Sequence, residues 1–128
     1  MTRPDRKRAE RRGRRAEWLA EAWLRLKGYQ ILARRAKTPV GEVDLIARKG
    51  QLVVIIEVKQ RQSLEAGLNA VPLSAWRRIA RGAESWLARG RAEYYHRDRR
   101  FDLMVIYPVL RICHRKDTWR PDFALTHD

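Results

Sequence analysis

Asp44, Glu57 and Lys59 are the residues of this chain whose types and spacing point to chemistry. Asp44 lies in an alternating stretch, Glu42 to Arg48, while Glu57 and Lys59 close the oily run Leu52 to Ile56. Charge at the end of so apolar a segment needs a partner, because an unpaired buried charge is costly. Two carboxylates on one face repel each other unless a cation lies between them. Mg²⁺ or Mn²⁺ suits such oxygen ligands and keeps several waters. A lysine alongside would then hold or activate one of those waters beside a phosphate, which is the layout for metal-assisted hydrolysis of a phosphodiester.

Two strands and a tight turn must position these groups. The first strand is Glu42 to Arg48, the turn Lys49-Gly50, the second strand Gln51 to Arg61. Alternation puts Val43, Leu45 and Ala47 on one face and Glu42, Asp44 and Ile46 on the other. The run Leu52 to Ile56 is dense enough to be buried on both faces. With a two-residue turn at Lys49-Gly50, Asp44 faces Ile55 and Glu42 faces Glu57. Asp44, Glu57 and Lys59 then share a face, with the two carboxylates diagonal neighbours about 7–8 Å apart at the backbone. Any even-length turn keeps that arrangement; an odd turn or a bulge would separate them.

Around this hairpin the periodicity changes. A helix is expected from about Gly13, with Ala16, Leu19, Ala20, Trp23 and Leu26 as its apolar stripe and Gly28 as its stop. Glu17 sits beside that stripe. Tyr29 to Arg35 reads as a strand and Ala36 to Val40 as a loop. Gln62 to Asn69 is a polar segment, either a connector or a flap over a substrate. A second helix is expected from Pro72 or Ser74 to Arg89, with Trp76, Ile79, Ala83, Trp86 and Leu87 buried and Arg77, Arg78, Arg81 and Arg89 off the stripe. Helical spacing of the tryptophans points to core rather than base stacking. Phe101 to Tyr107 is an apolar strand, Leu110 to Cys113 its hairpin partner, and Trp119 to Leu125 a cover for a sheet edge. Asp102 reads as structural.

The totals narrow the classes. The chain has 128 residues, one domain's worth, with 45% hydrophobic and 34% charged content. Twenty-nine basic against 15 acidic residues give a net charge of +14. So basic a small domain expects a polyanion, and nucleic acid, DNA ahead of RNA, is the expected partner. Residues 1–12 form a basic arm before a single domain at 13–128; Met1 to Arg15 holds eight basic residues and two acidic ones. Arg14, Arg15, Arg61, Arg77, Arg78 and Arg81 are the candidate phosphate contacts. No apolar run approaches the ~20 residues of a membrane span, so no membrane partner is expected and a cytoplasmic location is. One cysteine, Cys113, rules out an internal disulfide.

Asp followed by Glu-x-Lys on the next strand resembles the signature of the PD-(D/E)xK nuclease superfamily. The chain closely resembles one branch, the small bacterial YraN-type proteins. The matching residues are Gly13 and Glu17, Gly28-Tyr29 with Ile31-Leu32, Gly41 to Ala47, Glu57-Val58-Lys59 with Arg61, and Arg100-Phe101-Asp102. They cover roughly residues 13 to 125 in order and spacing. The resemblance implies an α/β (α+β) fold with a restriction-endonuclease-like αβββαβ core, a mixed central sheet flanked by helices. It implies Asp44, Glu57 and the Val58 carbonyl as metal ligands, Lys59 and Glu17 as further members of the catalytic set, and Glu42 as a flanking residue. Archaeal Holliday-junction resolvases of the wider superfamily work as dimers, so branched or damaged DNA is the expected substrate and a homodimer an expected assembly. Ala75 stands where such proteins usually carry a lysine, which removes that group from phosphate binding.

Other chemistries lack their motifs. There is no Gly-rich phosphate loop, no zinc spacing around His96, His114 or His127, and no Gly-x-Ser-x-Gly elbow. Two rivals to a nuclease remain: a nucleic-acid-binding protein with a vestigial site, and a buried ion-pair network in which Lys59 satisfies both carboxylates without a metal.

Overall fold

The computed structural model describes the backbone of residues 3–121 and the side chains of residues 13–121. Helix α1 (Arg3–Leu26) leads into three strands, β1 (Gln30–Thr38), β2 (Gly41–Lys49) and β3 (Leu52–Gln60). Helices α2 (Leu64–Leu68), α3 (Leu73–Ala88) and α4 (Ala92–Tyr95) follow, then β4 (Arg99–Tyr107) and β5 (Arg111–Trp119). One sheet has the order β1-β2-β3-β4-β5. β3 and β4 are parallel and the other pairs antiparallel. A parallel pair needs a long crossover, and the three helices between β3 and β4 provide it. The sequence α1-β1-β2-β3-α3-β4 is the expected αβββαβ, restriction-endonuclease-like core in an α+β domain, with β5 added at the edge.

Two apolar layers hold the sheet. Ala16, Ala20 and Leu24 of α1 cover Leu45, Ala47, Val54, Ile56 and Met104. Trp76, Ile79, Ala83 and Leu87 of α3 cover Val43, Ile46, Val53, Ile55, Leu103 and Val105. Val53 to Ile56 are fully buried, so the central strand is covered on both faces as its unbroken apolar run requires. Among the described residues no helix is long and apolar enough to cross a membrane.

Several local expectations are corrected. Helix α1 starts at Arg3 rather than Gly13, so the basic segment leads into the fold as helix. Its stripe runs through Leu24, and Leu26 is 84% exposed, because the helix ends before another turn can reach the sheet. β1 continues to Thr38 where a loop was expected, and only Pro39 and Val40 connect it to β2. Thr38 stabilises that turn: its hydroxyl donates to the Gly41 carbonyl at 2.6 Å and accepts from the Gly41 amide at 3.1 Å. The β2–β3 turn is Gly50-Gln51, with Lys49 facing Leu52. Gly50 has φ 59°, and a two-residue hairpin with glycine leading matches strand twist better than Lys49 leading would.

The polar segment after β3 contains the short helix α2, capped by the Ser63 hydroxyl, which accepts from the Ala66 amide. Gly67 is required there: a Cβ would lie 2.2 Å from a Val105 methyl, so α2 approaches β4 closer than any side chain allows. The partner of β4 is the full strand Arg111–Trp119, longer than Leu110 to Cys113. Trp119 enters the core, stacked on Trp76 at 6.1 Å. The continuation of the expected edge cover, residues 122–125, lies outside the described residues.

Candidate active site

The site forms where β2 and β3 part. Their ladder ends at Leu45↔Ile56, and Asp44 and Glu57 are the next residues on each strand. The turn at Gly50-Gln51 slides the register, so Asp44 stands beside Glu57 and not across from Ile55. Turn length is still two, which is why both carboxylates remain together. Beyond the ladder's end, Asp44 Oδ2 accepts the Val58 amide at 2.8 Å, standing in for a lost strand partner.

Alternation also breaks at Asp44. Leu45 and Ala47 face α1 as a pair, but Val43 turns to the α3 side, contrary to the expected face. Opposite, β1 pairs Arg34 with Leu45 and Ala36 with Val43, leaving Arg35 level with Asp44. Arg35 has φ 47°, an uncommon conformation for a residue with a Cβ. The two irregularities face each other, and together they free Asp44 from the regular pleat. Close packing supports this corner: at Gly41 a Cβ would meet the Arg78 carbonyl oxygen at 3.0 Å, so α3 lies directly on the start of β2.

Glu57 is 13% exposed at its side chain, in line with Val53 and Ile55 along the strand. Burial, then a hydrogen bond to Asp44 and that group's charge, push its carboxyl up to about 9, against a smaller opposing pull from Lys59. The Lys59 Nζ lies 3.9 Å from Glu57 Oε1 and is 29% exposed, at the rim. Burial and the neighbouring Asp44 thus both disfavour a second negative charge on Glu57 at this fork. That is the electrostatic condition a divalent ion relieves, and two carboxylates with outward access fit Mg²⁺ or Mn²⁺ as donors.

Glu17 borders this pair from α1. Its carboxylate accepts Arg35 Nε at 2.6 Å. Burial raises its pKa, Arg35 opposes that rise, and the charges of Asp44 and Glu42 add to it. Glu17 is thus within electrostatic reach, yet no group of three or more His, Cys, Asp or Glu side chains is gathered for a metal among the described residues. Glu42 is exposed in the pair Lys37↔Glu42. The Val58 side chain is buried on the α1 side while its amide holds Asp44. Arg35, which restrains Glu17, was not singled out by the sequence; a lone arginine in a strand carries no distinguishing signal.

The arginines do not form one cluster. Arg14 and Arg15 are exposed on α1, and Arg77, Arg78 and Arg81 on α3. Arg61 is exposed just past β3, its guanidinium donating to the Gln60 carbonyl at 2.8 Å. Ala75 is half-buried. A cleft of about 1140 Å³ lies elsewhere, lined by Arg81, Glu84, Arg97, Arg99, Phe101 and Trp119 among others, and by none of Asp44, Glu57 or Lys59.

A second polar assembly lies at the far side of the sheet. Asp102 is fully buried and accepts Arg100 Nε and Nη2 at 2.8 Å, the Asp117 amide at 3.0 Å, and a hydrogen bond from His114 Nε2 at 2.7 Å. Arg100 also donates to the Tyr29 hydroxyl at 2.7 Å. Desolvation works against the Asp102 carboxylate, but His114, Arg100 and the Asp117 amide outweigh it and hold its pKa below the usual range. This ties the α1–β1 corner to β4 and β5 and accounts for Arg100-Phe101-Asp102 as architecture.

Comparison with known proteins places the chain. The model of the family described as "Uncharacterised protein family UPF0102" matches residues 16–106, from the middle of α1 to β4. The chain belongs to this family. A UPF0102 protein of Chelativorans sp. is 52% identical over 103 residues, covering 80% of this chain and 82% of that one. UPF0102 relatives from Maricaulis maris, 45% identical over 94% of each chain, and Paramagnetospirillum magneticum, 44% identical over 89% and 91%, extend the likeness over most of the fold. In UPF0102 terms, the matched span contains Glu17, Asp44, Glu57 and Lys59, and leaves out Arg14, Arg15 and β5.

Proposed function

We propose that this UPF0102 protein is a Mg²⁺- or Mn²⁺-dependent nuclease that hydrolyses phosphodiester bonds in DNA. The single observation that carries this reading is the meeting of Asp44 and Glu57 at the fork of β2 and β3, with the Lys59 ammonium 3.9 Å from Glu57. Asp44 and Glu57, with the Val58 carbonyl, would hold the ion. A bound ion of this kind lowers the pKa of water and stabilises negative charge on a scissile phosphate. Lys59, at the solvent rim, orients a water or a phosphate oxygen. Arg35 fixes Glu17 at the edge of the site, where its charge adds to the negative field. Arg61, Arg77, Arg78 and Arg81, with Arg14 and Arg15, supply the phosphate contacts, and the net charge of +14 favours association with a polyanion. Branched or damaged DNA is the substrate class, and a homodimer the assembly, on the analogy with junction resolvases.

The deciding experiment incubates branched, flapped and linear DNA, and RNA, with Mn²⁺ and compares wild type with Glu57→Ala. Metal-dependent cleavage lost in the variant supports the proposal; cleavage surviving in it removes the proposal's centre.

One observation favours a second reading. The Lys59–Glu57 approach is itself a partial compensation, and a lysine shared by two carboxylates needs no metal. A non-catalytic nucleic-acid-binding protein then remains. That reading expects binding that weakens steeply with salt and ignores divalent metal.

A further inference from the structure

Trp18 stands apart from the other tryptophans. It is 68% exposed, whereas Trp76 and Trp119 are in the core and Trp23 and Trp86 pack against it. At about 100° per residue, Trp18 points nearly opposite the stripe Ala16-Ala20-Leu24 that meets the sheet, so folding does not use it. Arg14 and Arg15 precede it by four and three positions and are exposed. Arg25 lies on the same helical face seven positions further on, its guanidinium donating to Glu21 Oε1 at 3.0 and 3.1 Å. Glu17, the adjacent residue, turns about 100° away toward Arg35 and the field of Asp44. An indole framed by guanidinium groups, one residue from the rim of the carboxylate site, has the composition of a base-stacking platform with its phosphate clamps. An apolar protein partner would gain nothing from those arginines; an unpaired nucleotide uses both groups.

We infer that Trp18 on the outer face of α1, flanked by Arg14 and Arg15, stacks on an unpaired base, so that the substrate of the carboxylate site carries single-stranded character near the scissile phosphate. This rests on the nuclease reading for its position and deepens it by naming the substrate class. Intact duplex hides its base faces and offers Trp18 only an edge, so it gains from the arginines alone.

The test is equilibrium binding by fluorescence anisotropy in EDTA, with a labelled oligo-dT strand and a blunt duplex of equal length. Trp18→Ala should weaken strand binding by about tenfold and duplex binding by less than about twofold. Trp18→Tyr should restore most strand affinity, because the π-face returns. Arg14→Gln with Arg15→Gln should weaken both ligands and flatten the salt dependence by one to two phosphates' worth. Thermal melting of Trp18→Ala should match wild type. Equal losses on strand and duplex, or no loss on either, overturn the inference. So does a variant that loses binding only to vesicles containing anionic lipid, since α1 would then be a membrane face. If wild type binds neither nucleic acid, the nuclease reading itself fails; if wild type binds both and Trp18→Ala is neutral, that reading survives and only the stacking role falls.

Discussion

Glu57→Gln should stabilise the metal-free protein, and the gain should grow with pH. In the fold this carboxyl titrates at about 9 against an ordinary 4.5, from burial first and Asp44 second. A carboxyl raised in this way holds its proton in the native state after the unfolded chain has released it. Native stability is therefore undiminished below about pH 4.5, falls as pH rises through the interval to about 9, and levels off above it. At pH 7 the gap of about 2.5 units between pH and the unfolded value costs about 3 kcal/mol, rising to about 6 kcal/mol at pH 9 and above. Glutamine keeps a donor for Asp44 and has no proton to lose. Loss of the Lys59 contact at 3.9 Å offsets the gain by less than about 1 kcal/mol.

For 128 residues, an unfolding entropy of about 0.27 kcal/mol/K turns a net gain of 2–3 kcal/mol into a Tm rise of about 7–11 °C at pH 7. Thermal melts from pH 4.5 to 9 in EDTA measure it. The two proteins should coincide at the acid end and diverge above it. Added Mn²⁺ should raise wild type by about 2.7 kcal/mol at a hundredfold excess over Kd and leave the variant behind. Parallel melting curves across the whole pH range would refute the carboxylate contact, and an equal rise of both proteins with Mn²⁺ would put the ion elsewhere.

Asp44→Ala should abolish the heat of Mg²⁺ or Mn²⁺ binding in titration calorimetry, while a variant that binds as wild type does removes Asp44 from the metal site. Asp102→Asn should lower stability by about 3–5 kcal/mol in urea melts at pH 7, since Arg100 loses its buried counter-charge. Because the Asp102 pKa is depressed, its stabilisation is present above the ordinary carboxylate value and disappears as pH falls through the native one; the Asn variant should flatten that acid limb. Gly67→Ala should cost about 1–3 kcal/mol by differential scanning calorimetry, because its new methyl meets Val105 at 2.2 Å and either α2 or β4 must move.

Much of this architecture was legible in the linear order of residue types. Alternation in Glu42 to Arg48 and the unbroken run Leu52 to Ile56 identify a half-regular strand next to a central one, and the helical spacing of Trp76, Ile79, Ala83 and Leu87 locates the crossover helix. The association of Asp44 with Glu57 followed from parity: any two-residue turn keeps them on one side. Which two residues make the turn was not legible, since Lys49-Gly50 and Gly50-Gln51 both satisfy the spacing and differ only in where the positive φ falls.

What the chain's sequence determined by itself was thus the number of layers, the identity of the oily strand, and the kind of chemistry its charged end can support. Those depend on period and polarity, which act over a few residues. Tertiary structure decided the rest. It set the fork after Leu45↔Ile56 that releases Asp44, the left-handed Arg35 that leads a guanidinium to Glu17, and the burial that makes Glu57 keep its proton. It also brought Tyr29, Arg100, Asp102 and His114 into one hydrogen-bonded group from three separate strands or their approaches. Each depends on how far segments distant along the chain exclude water from one another, and desolvation has no expression in a list of neighbours.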